Sequence, residues 1–263
     1  MSDIYPAPSV VVGIDGSRAA IYAALWAVDE AVARDIPLRL VYVIDPRGAG
    51  PKGNPHGAAR AALYAAYRAV DATGKPVKVE TEILWERPLT KLMQESRSAV
   101  LVCVGSIGLN HARRVGGTVA ASLAESALCP VAVVHRPPGG PAAPEASEVV
   151  VQGDNGSVLR HAFDEARLRA VPLRVLSAHT AATREAAGNR LAQAQLSRRL
   201  ARFTPLYPDV PVDSAVIRGS VAQYLRANAN AGQLFVTDTH AANDVCGAYS
   251  VGCSVLTVRC GNL

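Results

Sequence analysis

Two segments of the 263-residue chain return later in it. Ala27-Val-Asp-Glu-Ala31 reappears as Ala162-Phe-Asp-Glu-Ala166, and Pro37-Leu-Arg-Leu-Val41 as Pro172-Leu-Arg-Val-Leu176, both at an offset of 135 residues. One offset shared by separate segments marks two copies of a single folding unit, and this constrains the fold more than any other feature. Between the copies, the run from Pro137 to Ser147 is rich in Pro, Gly and Ala and has no apolar periodicity. It reads as a linker. The expected organisation is a first domain over 1–137, a linker over 138–147 and a second, shortened domain over 148–263.

In the first copy, the apolar runs Val10 to Ile14, Leu38 to Ile44, Val100 to Val104 and Val131 to Val134 are short and β-branched, as strands buried on both faces are. Val77 to Leu84 alternates polar and apolar residues and suits an edge strand. Helical stretches fall between them, at Arg18 to Arg34, about Gly57 to Ala72, Pro88 to Ser96 and Val119 to Ala127. The second copy repeats the strands near Val149 to Gln152, Leu173 to Ala178, Val212 to Ile217, Gln233 to Thr237 and Ser254 to Val258. Alternating strands and helices predict an α/β fold, here two tandem units that are each an open five-stranded parallel sheet with helices on both faces. The last strands of the two units are expected to pair.

Composition narrows the partners. Hydrophobic residues make up 49% of the chain and charged residues 19%, enough burial for a folded core. The net charge of +5 is spread evenly, with 15 basic and 12 acidic residues over 1–140 and 12 and 10 over the rest. Neither Arg113-Arg114 nor Arg198-Arg199 sits in a basic block with interleaved aromatics, so nucleic acid is not an expected partner. The five cysteines are too few and scattered for a disulfide framework, and the seven-residue spacing of Cys246, Cys253 and Cys260 lacks histidines for zinc. No leader or membrane span is expected, and the cytosol is the expected compartment.

Ligands of doubly wound sheets bind beyond the carboxyl ends of the strands where the winding reverses. The loops there read Gly13-Ile-Asp15-Gly-Ser17 after the first strand and Gly105-Ser-Ile-Gly108 after the fourth. The latter runs on to Gly117-Thr118 at a helix start. Glycines allow backbone amides to approach phosphate oxygens, and a helix start adds free donors with a favourable dipole. Taken singly, each loop reads better as chain turning and helix capping. Their joint placement favours a phosphate cradle.

The pattern Val-Val-Val-Gly-Ile-Asp15-Gly-Ser17, the glycine loop, and Ser126-Ala-Leu-Cys-Pro130-Val-Ala-Val-Val134 together resemble the universal stress protein family, in the tandem form common in mycobacteria and other actinobacteria. The resemblance implies an adenine nucleotide alpha hydrolase-like fold and membership of the ATP-binding branch, whose motif spaces two glycines by two residues and places Gly-Ser or Gly-Thr nine residues further on. Gly105, Gly108 and Gly117-Thr118 match, with eight residues rather than nine in the long gap. By position, Asp15 would contact the nucleoside and Val43 line the adenine pocket through its backbone. Val104, Gly105 and Gly108 would border ribose and phosphates, and Gly117, Thr118 and Val119 would hold the phosphates, with Gly13 part of the same motif. A carboxylate accepts from ribose hydroxyls, and amides donate to phosphate. The implied cofactor is ATP, with or without Mg2+, and the implied role is a stress-response regulator acting through an unidentified regulatory protein partner and able to homodimerise. Hypoxia or dormancy as the stress follows from the same likeness. The alternative is an ATP-independent scaffold that works through strand-edge pairing and exposed helices. A slow ATPase is a third reading, with Asp15 or His111 as base, but nothing in the sequence places either in line with a γ-phosphate, so catalysis is not expected.

The second copy departs from the motif. Thr237-Asp-Thr-His240 stands where the glycine pair should be, and Ser157 to Pro172 spans 15 residues against 20 for Ser17 to Pro37. Nucleotide is therefore expected in the first copy alone. Gly48-Ala-Gly50-Pro-Lys-Gly53 mimics a dinucleotide fingerprint but follows the second strand and contains Pro51, and no Walker sequence occurs.

Overall fold

The computed structural model describes residues 7–47, 54–106, 118–137, 139–141, 143–179, 185–241 and 252–259. In the first half these form β1 (Val10–Ile14), α1 (Arg18–Arg34), β2 (Leu38–Ile44), α2 (Pro55–Asp71), β3 (Val79–Trp85), α3 (Pro88–Glu95), β4 (Leu101–Gly105), α4 (Val119–Ser126) and β5 (Val131–Val134). The second half forms β6 (Glu148–Gln152), α5 (Gly156–Arg169), β7 (Leu173–His179), α6 (Glu185–Leu200), β8 (Val212–Arg218), α7 (Val221–Asn228), β9 (Gln233–Asp238) and β10 (Ser254–Val258). A 3-10 turn, Thr204–Leu206, follows α6.

The strands lie in the order β3-β2-β1-β4-β5-β10-β9-β6-β7-β8. Every pairing is parallel except that of β5 with β10, where Val131 faces Thr257, Ala132 faces Leu256 and Val133 faces Val255. The expected pairing of the last strands is thus present, and it fuses the two five-stranded sheets into one of ten. Two separate sheets, as the repeat suggests, would leave β5 and β10 as unpaired apolar edges. Both strands are instead buried along their whole length. Alternate residues of each strand feed two cores. One is covered by α1, α2, α5 and α6, the other by α3, α4 and α7.

The halves are related by an approximate two-fold axis at the seam. Ala132 and Leu256 hold equivalent register positions, beside Cys103 and Val236, and they face each other. α1 and α5 obey the same relation and end alike. Asp35 and Ala170, at the repeat offset, adopt left-handed φ of 51° and 52°. Ile36 N–H and Val171 N–H then close back on Ala31 and Ala166 carbonyls.

Across the axis, these two helices bring four repeat-equivalent charges together. Glu30 and Arg34 come from α1, Glu165 and Arg169 from α5. Arg169 Nη2 reaches Glu30 Oε1 at 2.5 Å and Glu165 Oε2 at 3.0 Å. Arg34 pairs with Glu30 and lies 4.0 Å from Glu165. The Glu30 side chain is wholly buried and those of Glu165 and Arg169 nearly so. The Arg169 guanidinium also stacks 4.2 Å above the Trp26 ring. The repeat places the Asp-Glu pair in both copies, yet nothing in the pattern shows that the glutamates meet.

Leu256 is buried at the axis. Leu256→Ala is expected to lower the unfolding free energy by about 2–5 kcal/mol, measurable as a lower denaturant midpoint with the slope retained.

Candidate functional site

The winding reverses between β1 and β4, and Asp15 and Gly105 lie at the carboxyl ends of those neighbouring strands. Asp15 Oδ1 accepts the Ser17 N–H at 2.9 Å, Gly16 takes a φ of 87°, and Ser17 Oγ caps α1 by accepting Ala20 N–H at 3.1 Å. This turn holds the half-buried Asp15 carboxyl at the strand end, where its charge, after burial, helps push the Tyr42 phenol up.

Gly105 is a glycine for a steric reason. A Cβ there would lie 2.7 Å from the carbonyl carbon of Ala19, in the first turn of α1. The absence of a side chain lets α1 close over the end of β4. Beyond it, Ser106 N–H bonds to the Val134 carbonyl at 2.9 Å. Thr118 caps α4, its Oγ1 accepting Ala121 N–H at 3.1 Å, and Val119 opens that helix half-buried.

Gly13, Val43 and Val104 gather on one face of the sheet. A Cβ on Gly13 would meet Val104 Cγ1 at 3.2 Å and Leu92 Cδ1 at 3.3 Å. Val43 and Val119 pack against the same core as Val104, joined by the half-buried Leu84, Leu89 and Met93. Val43 and Leu84 are register partners near the ends of β2 and β3. The structure therefore brings Gly13, Asp15, Val43, Val104, Gly105, Thr118 and Val119 to one end of the sheet, with an apolar floor and polar rim. Gly108 and Gly117, with Arg113 and Arg114, lie outside the described residues.

Sequence reasoning missed Leu84, Leu89 and Met93, because an apolar residue flanking a strand carries no mark of a ligand. It also missed His135. That residue follows β5, and its backbone N–H bonds to Ser254 Oγ of the second half at 3.1 Å. Burial lowers its imidazole pKa.

The second half departs from this arrangement in more detail than its sequence suggests. Register places Val149 at the position of Val10, so Asp154 stands for Asp15 and Asp238, rather than Thr237, stands for Gly105. The helix cap is Asn155 rather than Ser157, and α5 has 14 residues where α1 has 17. The missing turn is the one that contacts Gly105 in the first half. A side chain is accordingly tolerated, and Asp238 Oδ1 accepts the N–H groups of His240 and Ala241 at 3.0 Å each. Gly153 replaces Ile14, and Leu196 of α6 fills the vacated space.

Residues 8–135 match the Universal stress protein family. Over 268 aligned positions that take in all of both chains, the sequence is 63% identical to a universal stress protein of Mycobacterium tuberculosis H37Rv. The chain belongs to the universal stress protein family. It is also 48% identical to a second universal stress protein of that strain, over 86% of this chain and 83% of the relative. A crystal structure of a universal stress protein from Archaeoglobus fulgidus superposes with a TM-score of 0.68 across 97% of each chain at 12% identity, and so shares the fold.

Among the described residues, no group of three or more metal-ligating side chains occurs, and no helix is long and apolar enough to cross a membrane. Cys103, Cys129 and Cys253 are buried free thiols, with Cys129 pushed up to about 11 and Cys253 to about 12 by burial, far from nucleophilic thiolates.

Gly105→Ala is expected to force α1 from the end of β4 and destabilise the protein by about 1–3 kcal/mol, since backbone rather than a flexible side chain obstructs the methyl group. Thermal unfolding measures it.

Proposed function

We propose that this universal stress protein binds one adenine nucleotide per chain, ATP with or without Mg2+, at the β1/β4 end of the first half, and acts as a regulator whose shape or partner choice depends on occupancy. The observation that carries this reading is the placement of Asp15 and Gly105 side by side at the switch point, with the amide-bearing start of α4 nearby. Asp15 supplies an acceptor for ribose hydroxyls. Val43, Val104 and their apolar neighbours suit a base. The backbone at Gly105, Gly108, Gly117, Thr118 and Val119 suits the phosphates.

The second half fits a polyphosphate poorly. Asp154 and Asp238 put two carboxylates at its switch point, and the turn that would close over β9 is missing. It serves instead as the pairing partner of the first half. The nucleotide is proposed as a ligand rather than a substrate, and turnover is expected below roughly one per second, slow by enzyme standards.

Mass spectrometry of nucleotide released from freshly purified protein, followed by calorimetry, tests the reading. One site per chain is expected in the wild type and in Asp238→Gly. Gly117→Glu, which adds bulk and like charge beside the phosphates, is expected to weaken binding by about 100-fold or more. Two sites per chain, or full affinity in Gly117→Glu, would misplace the site. No binding by the wild type would leave an ATP-independent scaffold as the function.

A further inference from the structure

The four charges at the seam have a chemistry of their own. Glu30 Oε1 and Glu165 Oε2 both approach the same nitrogen of Arg169, so the two carboxyls are neighbours, and both are out of water. Two adjacent carboxyls in a low-dielectric site do not both ionise readily. We propose that Glu165 holds a proton at neutral pH against the neighbouring Glu30, clamped by Arg34 and Arg169, and that this proton is a pH-sensitive latch between the two halves.

The surroundings fit. From α1 the pair is faced by Glu30's own neighbour Arg34, about one-third exposed, and from α5 by Arg169 and the half-buried His161, whose pKa is lowered by burial and also feels Arg34. From the sheet, Cys103 faces the pair. Its thiol is pushed up by burial and then by the charge of Glu30, which keeps it neutral. β5 and β10 contribute the apolar Ala132, Val134, Leu256 and Val258 to this side, with the buried Ser254 on the same face of β10. Asp164 and Arg160 of α5 also act on His161 beside the pair, the carboxylate raising and the guanidinium lowering its pKa. Burial first, and then the charge of Glu30, push Glu165 up to about 8, while Arg169 and Arg34 pull against them. The cluster with the proton on Glu165 keeps two guanidiniums against one carboxylate. Loss of the proton adds a second buried carboxylate to the pair.

A carboxyl raised in the folded state stabilises that state fully below its ordinary value, about 4.5, and loses the contribution as pH rises through about 8. The latch is therefore closed in mild acid and strained in mild alkali. Thermal unfolding of the full chain from about pH 6 to about pH 9 is the test. The wild type is expected to lose about 5 °C or more over this range relative to Glu165→Gln, whose amide mimics the protonated acid and cannot ionise. Infrared difference spectra of the wild type should show a protonated carboxyl stretch at neutral pH that disappears in alkali and is missing in Glu165→Gln. Parallel melting curves for the two proteins, or no protonated carboxyl in the neutral wild type, would overturn the proposal, and the spectrum decides even where the variant folds poorly.

Discussion

The backbone hydrogen bonds between β5 and β10 hold the rest of the molecule in place. Each half, taken alone, would end in a β-branched apolar strand with a bare edge. Pairing these edges antiparallel satisfies both at once and extends the two cores through the chain. The approximate axis follows, and with it the meeting of α1 with α5. Once equivalent helices are forced together there, whatever their repeated residues carry must be accommodated. Here that is a glutamate and an arginine from each. Buried ion pairs are a weak source of stability but a strong source of register, because a partner shifted by one turn leaves a charge alone in the core.

The same helix α1 serves two regions. Its first turn closes over Gly105 at the candidate site, and its last turns carry Glu30 and Arg34 to the seam. A continuous 17-residue helix spans about 25 Å, so the two regions are joined by one stiff element rather than by a chain of loops.

The fold was legible because its signals are periodic. Four strands and helices, Val10–Ile14, Arg18–Arg34, Leu38–Ile44 and Val131–Val134, have the bounds their apolar runs mark out. The strand at Val79 begins two residues late, since Val77 is held in a turn with Lys75. The site was legible where glycine or aspartate stands at a strand end, as at Asp15 and Gly105, and obscure where ordinary apolar residues line it, as at Leu89 and Met93. Counting residues from Ser157 showed that the second half is shorter here but matched the wrong residue to Ser17. Asn155 takes that position, and only the sheet register reveals that Asp238 stands in for Gly105. The seam charges escaped notice because a repeat shows what recurs, not what touches.

The shortened α5 ties the differences between the halves to one another. In the first half, glycine at the end of β4 and the opening turn of α1 depend on each other, since a side chain and that turn cannot share the space. In the second half that turn is missing, Asp238 occupies the strand end without collision, and Leu196 fills the room beside Gly153. Giving the second half the arrangement of the first would therefore take an insertion, a glycine and a smaller residue at 196 together, since any one of these alone leaves either a collision or a hole.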